Sequence, residues 1–373
     1  MKYKYITILM VAVSLWMSCS TSPSPEATTL KDAYKDKFYI GTALNVNQLM
    51  GGDAKAMDVV KNNFNAIVAE NCMKGEEMRP ADGVFFWDEA DKFVEFGEAN
   101  NMFITGHTLI WHSQAPKWFF TDAEGNDVSR EVLIERMRTH IHTVVTRYKG
   151  RVKGWDVVNE AIEDDGSFRK SKYYQIVGED FIKLAFQFAH EADPDAELYY
   201  NDYSMDKEGK RSGVVRLVKS LQADGIRIDG VGMQGHLGLN HPDINAFEKS
   251  LQAYAALGMK VMITELDISV LPSPWENTGA EISKRFEYRE AVDPYKNGMT
   301  AEVEKKLADR YIQFFKLFNK YSDNITRVTL WGVTDGDSWR NGWPIPGRTD
   351  YALLFGRDYQ AKPFVKDLIE MAK

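Results

Sequence analysis

Cysteine is almost missing from this chain. Its 373 residues contain two, Cys19 and Cys72. A disulfide framework is therefore excluded, and stability must come from a large core. Cys72 lies in an apolar run and reads as a small buried hydrophobe rather than a reactive thiol. Basic clusters are absent too. The 46 Lys and Arg residues are outnumbered by 54 Asp and Glu, a net charge of -8, which excludes nucleic acid as a partner. Only seven histidines occur. His140 and His142 form the single His-x-His pair, inside a helical pattern where residues two apart point away from each other. No histidine cluster reaches three ligands at a strand end, so neither a catalytic metal nor an organic cofactor is expected.

Long apolar runs are also scarce. Ile6 to Met17 is one, too short to span a membrane as a mature helix. Lys2 and Lys4 precede it and Ser18-Cys19 follows, so residues 1–18 read as a signal peptide. The Ser-Cys junction suggests the lipoprotein type, with Cys19 as the acylated first residue. Trp16 and Met17 are bulky for the usual recognition box, so plain secretion with Cys19 trimmed away is the alternative. Residues 19–29, rich in Ser, Thr and Pro, read as a flexible tether. The expected location is the bacterial cell envelope (outer membrane, surface or periplasmic face), with membrane contact only through the lipid.

What remains, residues 30–373, carries no second linker and reads as one domain. Short β-rich runs alternate with helical patterns. The runs are Tyr39–Leu44, Ala66–Glu70, Phe103–Ile110, Val152–Asn159, Glu197–Asn201, Gly230–Gln234, Val261–Glu265 and Val328–Trp331. Between them lie periodic stretches such as Arg130–Tyr148, Glu179–Ala192, Gly213–Asp224, Ile244–Leu257 and Glu302–Tyr321. Eight strands alternating with helices predict an α/β fold, a (β/α)₈ TIM barrel with a single catalytic domain. The C-terminal ends of the runs hold Glu70, His107, Asn159-Glu160, Asn201-Asp202, Gln234, Glu265 and Trp331. In a barrel these ends meet at one face, where an active site belongs. The stretch from Leu271 to Met299 is long for a connection and is expected to wall part of the cleft.

Two runs matter most. Trp155-Asp-Val-Val-Asn-Glu-Ala161 and Ile263-Thr-Glu-Leu-Asp-Ile268 each deliver a glutamate, Glu160 and Glu265, at a strand end. Two carboxylates on separate rigid strands are the minimum apparatus for cleaving a glycosidic bond. Asn159 and Asp267 add hydrogen-bonding groups beside them. Aromatic residues make up 12% of the chain, nine of them Trp, which suits stacking on sugar rings as well as core packing.

At these residues the sequence resembles a glycoside hydrolase family 10 endo-β-1,4-xylanase, from about Phe38 to Phe364. The matching blocks are Glu70-Asn-Cys-Met-Lys74, Gly106-His-Thr-Leu-Ile-Trp-His-Ser-Gln114, Trp155 to Glu160, Asn201-Asp-Tyr203, Gly232-Met-Gln-Gly-His236, Thr264-Glu-Leu-Asp267, and Trp331-Gly-Val-Thr-Asp335 with Ser338-Trp339. Seven blocks in order are a specific signal. Gly75 departs from the Trp common at that position, which leaves the glycone-side wall open to question.

The resemblance implies a retaining double displacement on xylan and xylo-oligosaccharides by a monomer, with Glu160 as acid/base and Glu265 as nucleophile. Such a pair sits about 5–5.5 Å apart, and two full charges there repel. His236 and Asn159 are the expected donors to Glu265, with Asp267 orienting His236. The resemblance further implies that Asn159 binds the sugar 2-hydroxyl. It places Glu70, Asn71, Lys74, His107 and Gln234 around the glycone-side sugars. Trp331 and Trp339 form an aromatic floor and wall, and Gln114 and Trp339 crowd C5 of the sugar. Trp111 reads either as a cleft residue or as core, and Tyr203 as a stacking platform on the leaving-group side. The alternatives are a β-1,4-glucanase with the same pair, or an inactive surface glycan-binding protein.

Overall fold

In the computed structural model, residues 28–272 and 283–373 are described; Cys19 lies outside them. Among the described residues nine strands follow one another: β1 (Tyr39–Leu44), β2 (Ala66–Ala69), β3 (Phe103–Trp111), β4 (Gly154–Asn159), β5 (Glu197–Asp202), β6 (Gly230–Met233), β7 (His236–Gly238), β8 (Lys260–Ser269) and β9 (Ile325–Leu330). Every pairing between them is parallel. The β6–β8 and β1–β9 pairings close eight of them into a barrel, and β7 continues β6 to pair with the outer end of β8. The predicted (β/α)₈ architecture is present, ringed by helices.

The helices take their places for ordinary reasons. Ala301–Lys320 buries Val303, Leu307, Tyr311, Phe314 and Phe318 on one stripe, and Thr300 caps its start by accepting from the Val303 amide. Each such side chain contributes roughly 1.5–3 kcal/mol when buried. Cys72 is buried and free, and burial pushes its thiol up to about 12. No helix among the described residues is long and apolar enough to cross a membrane.

Several strands run further than the sequence pattern indicates, β8 and β3 at their outer ends. β8 continues past Glu265 to Ser269, and β3 reaches Trp111. Both contain a register shift at the chemically rich stretch. On β8 the pairing passes from Ile263↔Val328 to Leu266↔Leu330, so three residues oppose two around Glu265. An extra residue of this kind re-aims a side chain. Between β6 and β7, Gly235 has φ +82°, and a β-carbon there would come within 2.9 Å of Ile263. Glycine at this corner is what lets the chain turn and present His236.

Candidate active site

Both glutamates stand at the C-terminal face of the barrel, nearly buried, with 7% of Glu160 and 5% of Glu265 exposed. They line one cleft of about 480 Å³ with Trp331, Trp339, Trp343 and Tyr203. Loops after β2 and β3 supply Glu70, Asn71 and Gln114 to the lining, while the segment after β5 supplies Tyr203 to Lys207. In barrel order β4, which ends just before Glu160, lies between these two groups.

The carboxylates are joined by a chain of carboxamides. Gln234 Nε2 donates to Glu160 Oε1 at 2.9 Å and faces Asn159 Oδ1 at 3.4 Å. Asn201 Nδ2 donates to Asn159 Oδ1 at 3.0 Å and to Glu265 Oε1 at 2.9 Å. The Thr264 hydroxyl donates to Asn201 Oδ1 at 2.6 Å and so settles which way that amide faces. Gly232 makes room for it, since a β-carbon there would lie 2.3 Å from Asn201 Oδ1. Of the two expected donors to Glu265, Asn159 is thus corrected: the carboxamide donor is Asn201, with Asn159 accepting one step further along. Asn201 sits inside a matching block, and its strand-end position was the available signal.

The second partner of Glu265 is His236, whose Nε2 lies 3.0 Å from Oε2. Asp267 holds the other ring nitrogen at 3.1 Å. Asp267 is itself gripped by Trp339 Nε1 at 2.7 Å and by Arg340 at 2.7 and 2.9 Å, a partner that sequence reasoning missed. Burial lifts Asp267, but Arg340 and His236 outweigh it and bring the carboxyl down to about 2. Burial works against a charged His236, yet the two carboxylates push it from 6.5 up to about 9. For Glu265 burial is again the largest influence, and the bond and charge of His236 with the Asn201 bond override it, leaving the carboxyl below its usual range. His236 therefore stabilises the fold fully below pH 6.5, and that contribution disappears as pH climbs through about 9.

Glu160 is held differently. Trp111 Nε1 donates to its Oε2 at 2.8 Å and Gln234 to its Oε1, both neutral donors. Trp111 is thus both core, at 9% exposure, and an active-site donor. His107 pairs with Asp156 at 2.9 Å and packs edge-on to Trp331. Lys74 donates to Asn71 and to Gln114, each at 2.9 Å, and lies 4.8 Å from the Trp111 ring. Burial lowers the Lys74 ammonium, against the pull of Glu70, Glu265 and Glu160. Burial raises Glu70, against Lys74. At Gly75 an added β-carbon would meet the Pro116 side chain at 3.4 Å and the Gln114 carbonyl at 3.8 Å, ordinary contacts. The Tyr203 ring stands over Lys210 at 4.1 Å, and its hydroxyl accepts from Arg169 at 2.8 Å. Trp339 and Trp343 stack at 5.0 Å and 17°. From the long connection, residues 273–282 fall outside the described part, and Arg285 beyond them lines the cleft. Among the described residues no metal-holding group of three or more His, Cys, Asp or Glu is gathered.

A barrel with paired carboxylates and stacked tryptophans at its C-terminal face defines a glycoside hydrolase. Residues 29–371 match the sequence profile described as Glycosyl hydrolase family 10, and the chain belongs to that family. It is 55% identical over 343 residues to endo-1,4-beta-xylanase A of Xylanibacter ruminicola, covering 92% of this chain and 93% of that protein. Endo-1,4-beta-xylanase of Geobacillus stearothermophilus is 41% identical, covering 92% and 97%. A solved GH10 endoxylanase from a sugarcane soil metagenome superposes with a TM-score of 0.88 at 47% identity, covering 93% of this chain and all of that one.

Proposed function

We propose that this protein is an endo-1,4-β-xylanase working by retaining double displacement. The observation that carries the reading is the asymmetry between the two carboxylates. Glu265 touches the His236 imidazolium, whereas Glu160 is held by neutral donors alone. The carboxylate beside a cation is the nucleophile, and the other glutamate is left to move a proton.

Glu265 attacks the anomeric carbon while the bond to the leaving oxygen breaks and Glu160 gives that oxygen its proton. A sugar–Glu265 ester results. Glu160, now a carboxylate, takes a proton from water, whose oxygen displaces Glu265 from the sugar and restores both groups. Asn159 has its carbonyl occupied by Asn201, which leaves its amide nitrogen to donate to the sugar 2-hydroxyl.

The test is a pair of matched aryl glycosides, a xylobioside and a cellobioside. Xylose lacks the C5 hydroxymethyl of glucose, and Gln114, tied to Lys74, fills space on the glycone side. The xylobioside should be turned over with the higher kcat/KM, and Gln114→Ala should narrow the ratio by about 1–3 kcal/mol. A wild type that prefers the cellobioside would make it a glucanase. The first-formed product should be the β-anomer by proton NMR, and an α-anomer would rule out retention.

His236→Ala supplies a pH test. Losing the imidazolium raises the Glu265 carboxyl, so the acidic limb of kcat/KM against pH should move upward. An acidic limb that stays where it is in the wild type removes His236 from this role.

A further inference from the structure

Glu160 stands on backbone that must be held. Its φ is +58°, in the left-handed region where a β-carbon is crowded. Asn201 O accepts from its amide at 2.9 Å, and Arg169 Nε donates to its carbonyl at 2.7 Å. The next two amides, of Ala161 and Ile162, both donate to a single atom, the phenol oxygen of Tyr200, each at 3.0 Å. That phenol donates in turn to Asp202 Oδ2 at 2.5 Å. Lys210, in the first turn of helix Glu208–Ala223, completes the group. Its ammonium donates to Asp202 Oδ1 at 2.8 Å and to the Ile162 carbonyl at 2.5 Å. Tyr200 and Asp202 are two apart on β5, so they share the face opposite Asn201, which reaches into the active site.

All three side chains are fully buried. A cation in the first turn of a helix sits at the wrong end of the helix dipole, and burying it with a carboxylate adds a desolvation cost. Apolar side chains of the same volume generally serve stability as well or better. What they cannot do is grip two amides and a carbonyl in the residues that follow Glu160.

We infer that Tyr200, Asp202 and Lys210 are positioning residues for proton transfer. They fix the Ala161–Ile162 backbone, and through it the left-handed turn that aims the Glu160 carboxyl at the leaving oxygen. This rests on Glu160 being the acid/base. The three side chains make no hydrogen bond to Glu265, which is held instead by Asn201 and His236. Loosening them should therefore damage one half of the chemistry and spare the other.

The experiment uses Tyr200→Phe, which leaves both amides without their acceptor, and two aryl β-xylobiosides. With phenol as leaving group, which needs the proton, kcat/KM should fall roughly tenfold to a hundredfold, as expected of a catalytic group displaced by a fraction of an ångström. With 2,4-dinitrophenol, which leaves unaided, it should stay within about threefold. Glu160→Ala is measured alongside. If that variant does not separate the two leaving groups, the role given to Glu160 is wrong. If it does separate them while Tyr200→Phe loses both activities equally, or neither, the positioning role is overturned. Should Tyr200→Phe not accumulate in folded form, Asp202→Asn, which keeps the shape and removes the charge, is read by the same comparison.

Discussion

Glu265→Ala is expected to abolish turnover of xylan and of activated aryl xylosides alike, by about 10⁴–10⁶-fold in kcat. No leaving group, however good, substitutes for the missing bond to carbon, because the covalent intermediate cannot form. The fold should survive the change. Asn201 keeps its bonds to Asn159 and Thr264, and His236 keeps Asp267, so no buried partner of Glu265 is left wholly unsatisfied. The measurement is single-turnover kinetics on dinitrophenyl xylobioside with circular dichroism as the control for folding. Residual turnover within a hundredfold of wild type would assign the nucleophile to another group.

Glu160→Ala should divide the substrates. On xylan, whose leaving oxygen must be protonated, the loss should reach about 10²–10⁴-fold, the usual worth of a positioned acid. On dinitrophenyl xylobioside the first step should proceed at close to its normal rate and then stall, because water no longer has a base to activate it. The expected trace is a burst of dinitrophenol equal to the enzyme concentration, followed by a slow steady state. Mass spectrometry of the protein at that stage should find a xylobiosyl adduct on Glu265. Loss of the burst itself would exchange the roles proposed for the two glutamates.

The two variants differ in consequence because the structure surrounds the glutamates so differently. Glu265 rests on a network that extends outward through His236 to Asp267, Trp339 and Arg340, so several distant side chains bear on the charge of one carboxylate. Glu160 rests on Trp111 and Gln234 at its head and on a clamped backbone at its base. The carboxamides of Gln234, Asn159 and Asn201 form the hydrogen-bonded link between the two halves.

By itself the sequence determined the barrel, its strand order and the identity of the two glutamates. Alternation of β-rich and helical runs has a physical period that one chain displays without its neighbours, and parallel strands collect their C-terminal ends at one face whatever the details. That Glu70, Glu160, Gln234, Glu265 and Trp331 line one cleft was legible for the same reason, since each lies at or just past the end of a β-rich run. The tertiary structure alone decided which carboxamide reaches which carboxylate. Asn159 and Asn201 occupy equivalent places in the sequence, and only the folded barrel, with the space left by Gly232, gives Asn201 the contact with Glu265. The same holds for Trp111, whose indole could serve core or cleft until the fold brought its N–H to Glu160. Arg340 and the Tyr200–Asp202–Lys210 group were illegible for a further reason. Arg340 lies 73 residues from Asp267, and Tyr200 and Lys210 lie 38 to 48 residues from the Ala161–Ile162 backbone they hold, and sequence spacing carries no record of contacts that depend on how two separate elements pack.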